Sequence, residues 1–481
     1  MFFTSVQYYI FFPIIFLIVY FAENGWRWLV LLLASVYFYY SLDVPYLLLI
    51  LFLVIVITYT VSLLLEKTEH NGNKRALFLF GIALNLSILL IVKYLPFLTK
   101  SINDLFVIIK WDRSLPISQQ LFSVGVSFYV FQAISYLADI YTKKEKPEKH
   151  FGYFSLYLSF FPKLLSGPIE RASNLLPQLH SRYSFDYDNI RCGLLMIAGG
   201  LFKKVVIADR LALYVNPVYN NVNDYSGIAF IIATYLYALQ LYFDFSGYTD
   251  IALGTARIFN IRLTQNFNSP YLSTSISDFW RRWHISLSSW FRDYLYIPLG
   301  GNRVGTVRRC YNLLIVFFLC GLWHGDSWSF IVWGLLHGVY LATSVIVKPI
   351  KETIHGKIGL ENTWILKVWQ WFITFNLVCF AWIFFRANTI NDAWHIITHM
   401  ISGTEGVKSL LLSQGTGELV VTIVCLMVMT IPLLLRNKMD SYNYILGKPL
   451  LIRWSVYFII VLNISIFGLF NSNQTFAYFN F

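Results

Sequence analysis

Apolar runs close to the length of a bilayer-spanning helix recur along this 481-residue chain, and they restrict its fold more than any other feature. A helix needs roughly 20 consecutive apolar residues to cross a hydrocarbon core. The clean examples are Pro45–Leu65, Ala76–Val92, Leu121–Leu137, Phe330–Val347, Trp369–Phe385, Leu419–Leu435 and Trp454–Phe470. Shorter or weaker ones are Tyr8–Phe21, Trp26–Tyr40, Phe151–Leu165, Leu194–Ile207, Ile228–Phe245 and Tyr311–Trp323. Hydrophobic residues make up 57% of the chain and charged residues 13%, against roughly 45–50% and 25% in soluble domains. So few charges could not cover a water-soluble core of this size. The expected fold is an all-α polytopic membrane protein of about 11–13 transmembrane or re-entrant helices.

No positively charged region precedes the first apolar run and no small-residue cleavage site follows it, so that run is expected to stay as an anchor. Five cysteines (Cys192, Cys310, Cys320, Cys379 and Cys425) are scattered, mostly in apolar runs. An odd, scattered set does not make a disulfide framework. There is no 20–50-residue repeat, low-complexity tract or composition break. One membrane domain spanning residues 1–481 is expected.

The net charge of +12 is uneven: Arg257–Arg309 holds eight arginines and Lys143–Lys149 four lysines. Loops rich in Lys and Arg stay cytoplasmic, and topology alone accounts for the lysine loop. A positive inner face also suits an anionic, phosphate-bearing substrate or lipid headgroups. Nucleic acid is not an expected partner, because no soluble basic module is present to hold it.

The densest polar and aromatic stretch is "DFWRRWHISLSSWFRDYLYIPLGGNR" (Asp278–Arg303). Read as one helix at 100° per residue, Trp280, Trp283, Leu287, Trp290, Phe291, Tyr294 and Leu295 share an arc, while Arg281, Arg282, Ser286, Ser289, Arg292 and Asp293 fill the opposite side. Pro298 and Gly300–Gly301 then end it. Such a helix lies along the membrane surface, with aromatic anchors on one face and arginines toward water or headgroups. His284 interrupts the apolar arc.

A second histidine, His324 in "CGLWHGDSW", closes an apolar run that is otherwise almost without polar content. Ionisable residues at membrane depth are rare and are functional candidates by default. Gly321 and Gly325 allow close approach to its ring, and Trp323 and Trp328 can wall off water. His337, in "GLLHGVY", reads mainly as a packing or hydrogen-bonding residue. Cys320 and His324 stand at i and i+4, but no third and fourth ligand follow at a supporting spacing, so no metal is expected. The G-x-S-x-G elbow of serine hydrolases is absent. General-base catalysis by a neutral imidazole on a hydroxyl substrate fits best. A transporter, whose ion relay would also bury Asp, His and Lys, is the rival class. The paired halves common in transporters are not found.

The Asp278–Arg303 stretch, followed by "GLWHGDSWSFIVWGLLHG", closely resembles the membrane-bound O-acyltransferase (MBOAT) family, and within it the bacterial branch of alginate O-acetylation, peptidoglycan O-acetylation and teichoic-acid D-alanylation proteins. "FFPKLLSGPIER" (Phe160–Arg171), "LYFDFSGYTDIALG" (Leu241–Gly254) and "FAWIFFRA" (Phe380–Ala387) support it. The resemblance implies a ring of helices around a central tunnel, with the most family-like core at 121–387 and a C-terminal helical extension at 388–481. It makes His324 the catalytic histidine and His284 the second active-site histidine. Asp326 departs from the pattern, where a small residue is expected.

The resemblance also implies an acetyl-coenzyme A or acyl-carrier thioester as donor and no bound cofactor. It implies an extracytoplasmic O-acetyltransferase partner, a polysaccharide acceptor and a bacterial inner-membrane location. Trp323, Arg281 and Arg282 are expected at the substrate. Lys163, Gln240, Asp244 and Asp250 are polar groups at apolar depth. Gln240 and Asp244 lie near one helix face, which suits either tunnel lining or interhelical hydrogen bonding.

Overall fold

A computed structural model describes residues 1–117, 119–358, 363–435, 441–470 and 476. Its described residues form helices and connecting turns, with no strand among them. Seven helices among them are long and apolar enough to cross a membrane: Tyr46–Lys67, Asn71–Ile108, Ile228–Ile258, Thr306–His324, Trp328–Lys351, Trp364–Arg386 and Leu450–Phe467. Val6–Phe21, Arg27–Tyr40 and Thr416–Met427 are shorter apolar helices. The chain is thus an all-α, multi-pass membrane protein.

Several boundaries differ from the sequence expectation, for local reasons. The weak segments Ile228–Phe245 and Tyr311–Trp323 are parts of long helices, because Asp244, Asp250 and the arginines near their ends interrupt the hydropathy but not the helix. Leu121–Leu137, which reads as a clean span, becomes the 16-residue helix Val126–Tyr141, buried along almost its whole length by protein. Phe151–Leu165 breaks at Phe160 into two short helices. Leu194–Ile207 passes through a widened turn at Phe202–Ala208 that carries the buried Lys203 and Lys204. Within the C-terminal extension, residues 436–440, 471–475 and 477–481 lie outside the described residues.

Contacts divide the chain into two units, Met1–Ile197 with Tyr248–Thr264, and Ala198–Gly247 with Gln265–Phe481. In the first unit the Tyr8 hydroxyl lies 2.6 Å from Thr255 Oγ1. Lys163 is fully buried and donates to Gln132 Oε1. Glu170, also buried, accepts from the Thr264 amide and the Asn174 side chain. Burial raises its carboxyl above the ordinary range, against the pull of those hydrogen bonds. No disulfide joins cysteines among the described residues.

The second unit contains both histidines singled out from the sequence. Its tightest packing is between Thr306–His324 and Trp328–Ile358, and small residues make it possible. A Cβ on Gly321 would stand 2.4 Å from the Phe330 carbonyl oxygen, and one on Gly334 would stand 2.2 Å from that of Phe317. Those glycines therefore bring two backbones into direct contact, a close approach typical of small residues between membrane helices.

Candidate functional site

The Asp278–Leu295 segment is not the single helix that a constant 100° step implies. It is two short helices, Ile276–Arg282 and Ile285–Phe291, followed by a widened turn at Arg292–Tyr296. His284 stands at the break with φ +42°, a left-handed conformation uncommon for a residue bearing a side chain. The surroundings fix it. The Trp283 amide closes the first helix onto the Phe279 carbonyl at 2.8 Å. Asn266 then captures the first two amides of the second helix, that of Ile285 through its carbonyl at 3.0 Å and that of Ser286 through Oδ1 at 3.2 Å. The first helix is capped by the Ser275 side chain accepting from the Asp278 amide at 3.1 Å. The break also buries Ser286, which the continuous helix puts on the polar side.

At this kink His284 is 0% exposed. It lies outside the spanning helices, and burial pushes its imidazole down to about 3. The ring is therefore neutral at physiological pH, with one nitrogen to donate a hydrogen bond and one to accept. It packs edge-on against Phe245 at 4.8 Å between centroids and against Trp323 at 5.9 Å.

His324 is the last residue of the Thr306–His324 helix. Gly325 leaves the helix in extended backbone, and a Cβ there would lie 2.1 Å from the Phe330 ring. Aromatic rings around the imidazole include Trp323 at 4.9 Å, Trp333 at 4.8 Å and Phe385 at 5.3 Å. Trp333 in turn stacks on Trp382 at 5.6 Å and 15°. The two histidines thus join one aromatic cluster through the shared Trp323 ring. The cluster excludes water, and low polarity strengthens any hydrogen bond made within it.

The other expected site residues fall into separate settings. Asp244 is buried, with Oδ1 2.7 Å from Lys204 Nζ, and the same ammonium lies 2.7 Å from Asp209. Its chain neighbour Phe245 is the ring against His284. Gln240, one turn earlier, has a buried Oε1 without a hydrogen-bond donor among the described residues. Arg281 lines a cavity of about 610 Å³. Arg282 is absent from that lining and pairs with Asp278 at 3.0 Å. Asp326 is half-buried in the link between the two glycine-packed helices.

Residues that the sequence did not place at the substrate also belong to these settings. The cavity is also lined by Arg292, Arg309 and Lys348, and its apolar wall includes Phe317 and Cys320, the latter one helical turn before His324. Trp333, Phe385 and Trp382 come from two further helices, and lie within "GLWHGDSWSFIVWGLLHG" and "FAWIFFRA" without being singled out there. His337 sits one turn after Trp333, with its Nδ1 accepting from Trp280 Nε1 at 3.2 Å. An indole N–H can only donate, so this contact fixes the neutral His337 tautomer with its proton on Nε2. A sequence reading places His337 in packing and hydrogen bonding, and this contact is of that kind.

Residues 34–385 match the family model described as MBOAT, membrane-bound O-acyltransferase family. A peptidoglycan O-acetyltransferase of Helicobacter pylori is 36% identical over 417 residues, covering 81% of this chain and 76% of its own length. A probable alginate O-acetylase of Pseudomonas aeruginosa is 36% identical over 423 residues, covering 88% of this chain and 79% of its own. A teichoic acid D-alanyltransferase of Streptococcus thermophilus is 30% identical over 322 residues, covering 60% and 74%. With a family match over most of its length and relatives of this similarity, the chain belongs to the membrane-bound O-acyltransferase family and is an O-acyltransferase.

Proposed function

We propose that the enzyme passes an acetyl group from a thioester donor, acetyl-coenzyme A or a charged acyl carrier, toward a hydroxyl of a secreted or cell-surface polysaccharide. The observation that carries this reading is the placement of His324 in a water-excluding aromatic cluster that it shares with His284. In the proposed reaction His324 accepts the proton of the acceptor hydroxyl, whose oxygen attacks the thioester carbonyl. His284 donates a hydrogen bond to the oxyanion as it forms. Collapse breaks the carbon–sulfur bond, and the proton held on His324 leaves with the thiolate. Trp323, between the two imidazoles, positions the acyl group, and Gln240 and Asp244 belong to the same substrate path.

An acetyl donor is favoured by the two similar O-acetylating relatives and by the apolar helices that follow Ala387, which resemble the alginate branch. The chain is proposed to work as one membrane domain in a bacterial inner membrane. An extracytoplasmic transferase would complete delivery to the polymer, and a tunnel would carry the acyl group across.

The arginine-lined cavity suits the donor's phosphates, since four cationic side chains converge on one concave surface. Purified protein given acetyl-coenzyme A and a hydroxyl acceptor should release thiol. Arg281→Gln combined with Arg309→Gln should raise the donor KM several-fold with little change in kcat. Arg282→Gln, whose native partner is Asp278, should have the smaller effect. The gap from wild type should narrow as salt rises, because salt screens the attraction the variant has lost. No thiol release from any acyl thioester would overturn the proposal, and an unchanged KM would remove the cavity from it.

A further inference from the structure

The Ile390–His399 helix carries a pair of histidines that the acyl-transfer site does not use. The helix begins with a reciprocal cap between Thr389 and Asp392, so its register is set from the N-terminal end. His395 and His399, at i and i+4, therefore emerge from one face. Their rings lie 4.1 Å apart between centroids and only 18° from parallel. His395 is half-buried and His399 exposed.

The protonation of His399 follows from its partners. Its Nδ1 lies 2.9 Å from the His395 carbonyl oxygen. A carbonyl can only accept, so Nδ1 carries the proton and the neutral ring keeps its lone pair on Nε2. Histidine ligands of metals commonly have this arrangement, with one ring nitrogen bonded to the backbone to fix the tautomer and the other left to the ion. The turn that carries it is anchored from outside as well. The His399 carbonyl accepts from the Gly227 amide at 2.8 Å. Gly227, at φ +53°, packs so closely on Gly403 that a Cβ would lie 1.8 Å from its carbonyl oxygen. Ser226 Oγ accepts from the Glu405 amide at 3.2 Å.

We propose that His395 and His399 form a surface site for a divalent first-row transition metal of the copper, nickel or zinc type. Two imidazoles one helical turn apart are a recurrent metal-binding pair, and copper binds nitrogen ligands most tightly of the divalent first-row ions. In the metal-bound form each Nε2 would lie roughly 2.0–2.1 Å from the ion, and the rings would leave their present stacking to reach it. No cluster of three or more His, Cys, Asp or Glu residues suited to a metal occurs among the described residues. Solvent then completes the coordination. A bound ion would lock the last turn of this helix and, through the His399 carbonyl, the backbone at Gly227, which immediately precedes the Ile228–Ile258 helix. The i, i+4 spacing of "HIITH" stands in the sequence, where no metal is expected.

The test is equilibrium dialysis of the untagged, full-length protein in detergent against Cu²⁺, with bound metal quantified. Wild type should hold one saturable ion per chain. His395→Gln and His399→Gln should each weaken that binding at least as much as loss of an outer-shell partner does, roughly 10–100-fold. Both variants should elute as wild type does and keep its acyl transfer in the absence of metal. Saturating Cu²⁺ should raise the melting temperature of wild type and not of either variant. Undiminished copper binding in both variants, or a loss in one alone, would overturn the site. So would wild-type protein that takes up no saturable ion.

Discussion

His324→Ala is expected to abolish measurable acyl transfer while leaving a folded, inserted protein. Removal of one general base typically costs roughly 10²–10⁴-fold in rate. The imidazole here is surrounded by Trp323, Trp333 and Phe385, and the helix that carries it is held by the Gly321 and Gly334 contacts. Neither feature depends on the ring. The variant should therefore keep a melting temperature close to wild type in detergent while its turnover falls by that factor. Near-wild-type turnover would remove His324 from the chemistry. Parallel losses of turnover and folded protein would make it a packing residue.

His284 should give the second-largest loss. The role proposed for it, hydrogen-bond donor to the developing oxyanion, implies a fall of roughly 10²–10³-fold in kcat, the usual cost of removing one such donor. Alanine alone confounds two effects, because His284 holds a left-handed backbone at φ +42°. Asparagine tolerates that conformation better than alanine, so His284→Asn separates loss of the imidazole from backbone strain. Both variants should be strongly impaired in turnover, with the asparagine variant the more stable. His337→Ala should behave in the opposite way. It leaves the Trp280 indole N–H buried without its acceptor, a cost of about 1–3 kcal/mol in stability, with a milder effect on turnover. Turnover ranked with His337 below His284 would contradict the choice of the active-site pair.

Much of this was legible in the sequence, because both the solvent and the key residues leave strong local signals. The apolar runs Pro45–Leu65 and Trp369–Phe385, near bilayer length, mark the spans that the structure shows as Tyr46–Lys67 and Trp364–Arg386. A histidine at the end of an apolar run drew attention to His324. What stayed hidden depends on partners distant in the chain. The kink at His284 is stabilised by Asn266, eighteen residues earlier, so a periodicity that assumes one straight helix cannot detect it. Burial of Ser286 follows from the same kink. Asp244 reads as a lone polar group at apolar depth, and its pairing with Lys204 appears only when two helices meet. Arg309 and Lys348 join Arg281 around one cavity for the same reason.

The central claim is acetyl transfer that requires His324. Its most direct test supplies membranes containing wild type or His324→Ala with acetyl-coenzyme A labelled in the acetyl group and, separately, with a carrier protein charged with labelled D-alanine. Label reaching polysaccharide is then counted. The account predicts incorporation from acetyl-coenzyme A by wild type and none by His324→Ala. Incorporation from the D-alanyl carrier alone, or equal incorporation of acetyl by both proteins, would contradict it.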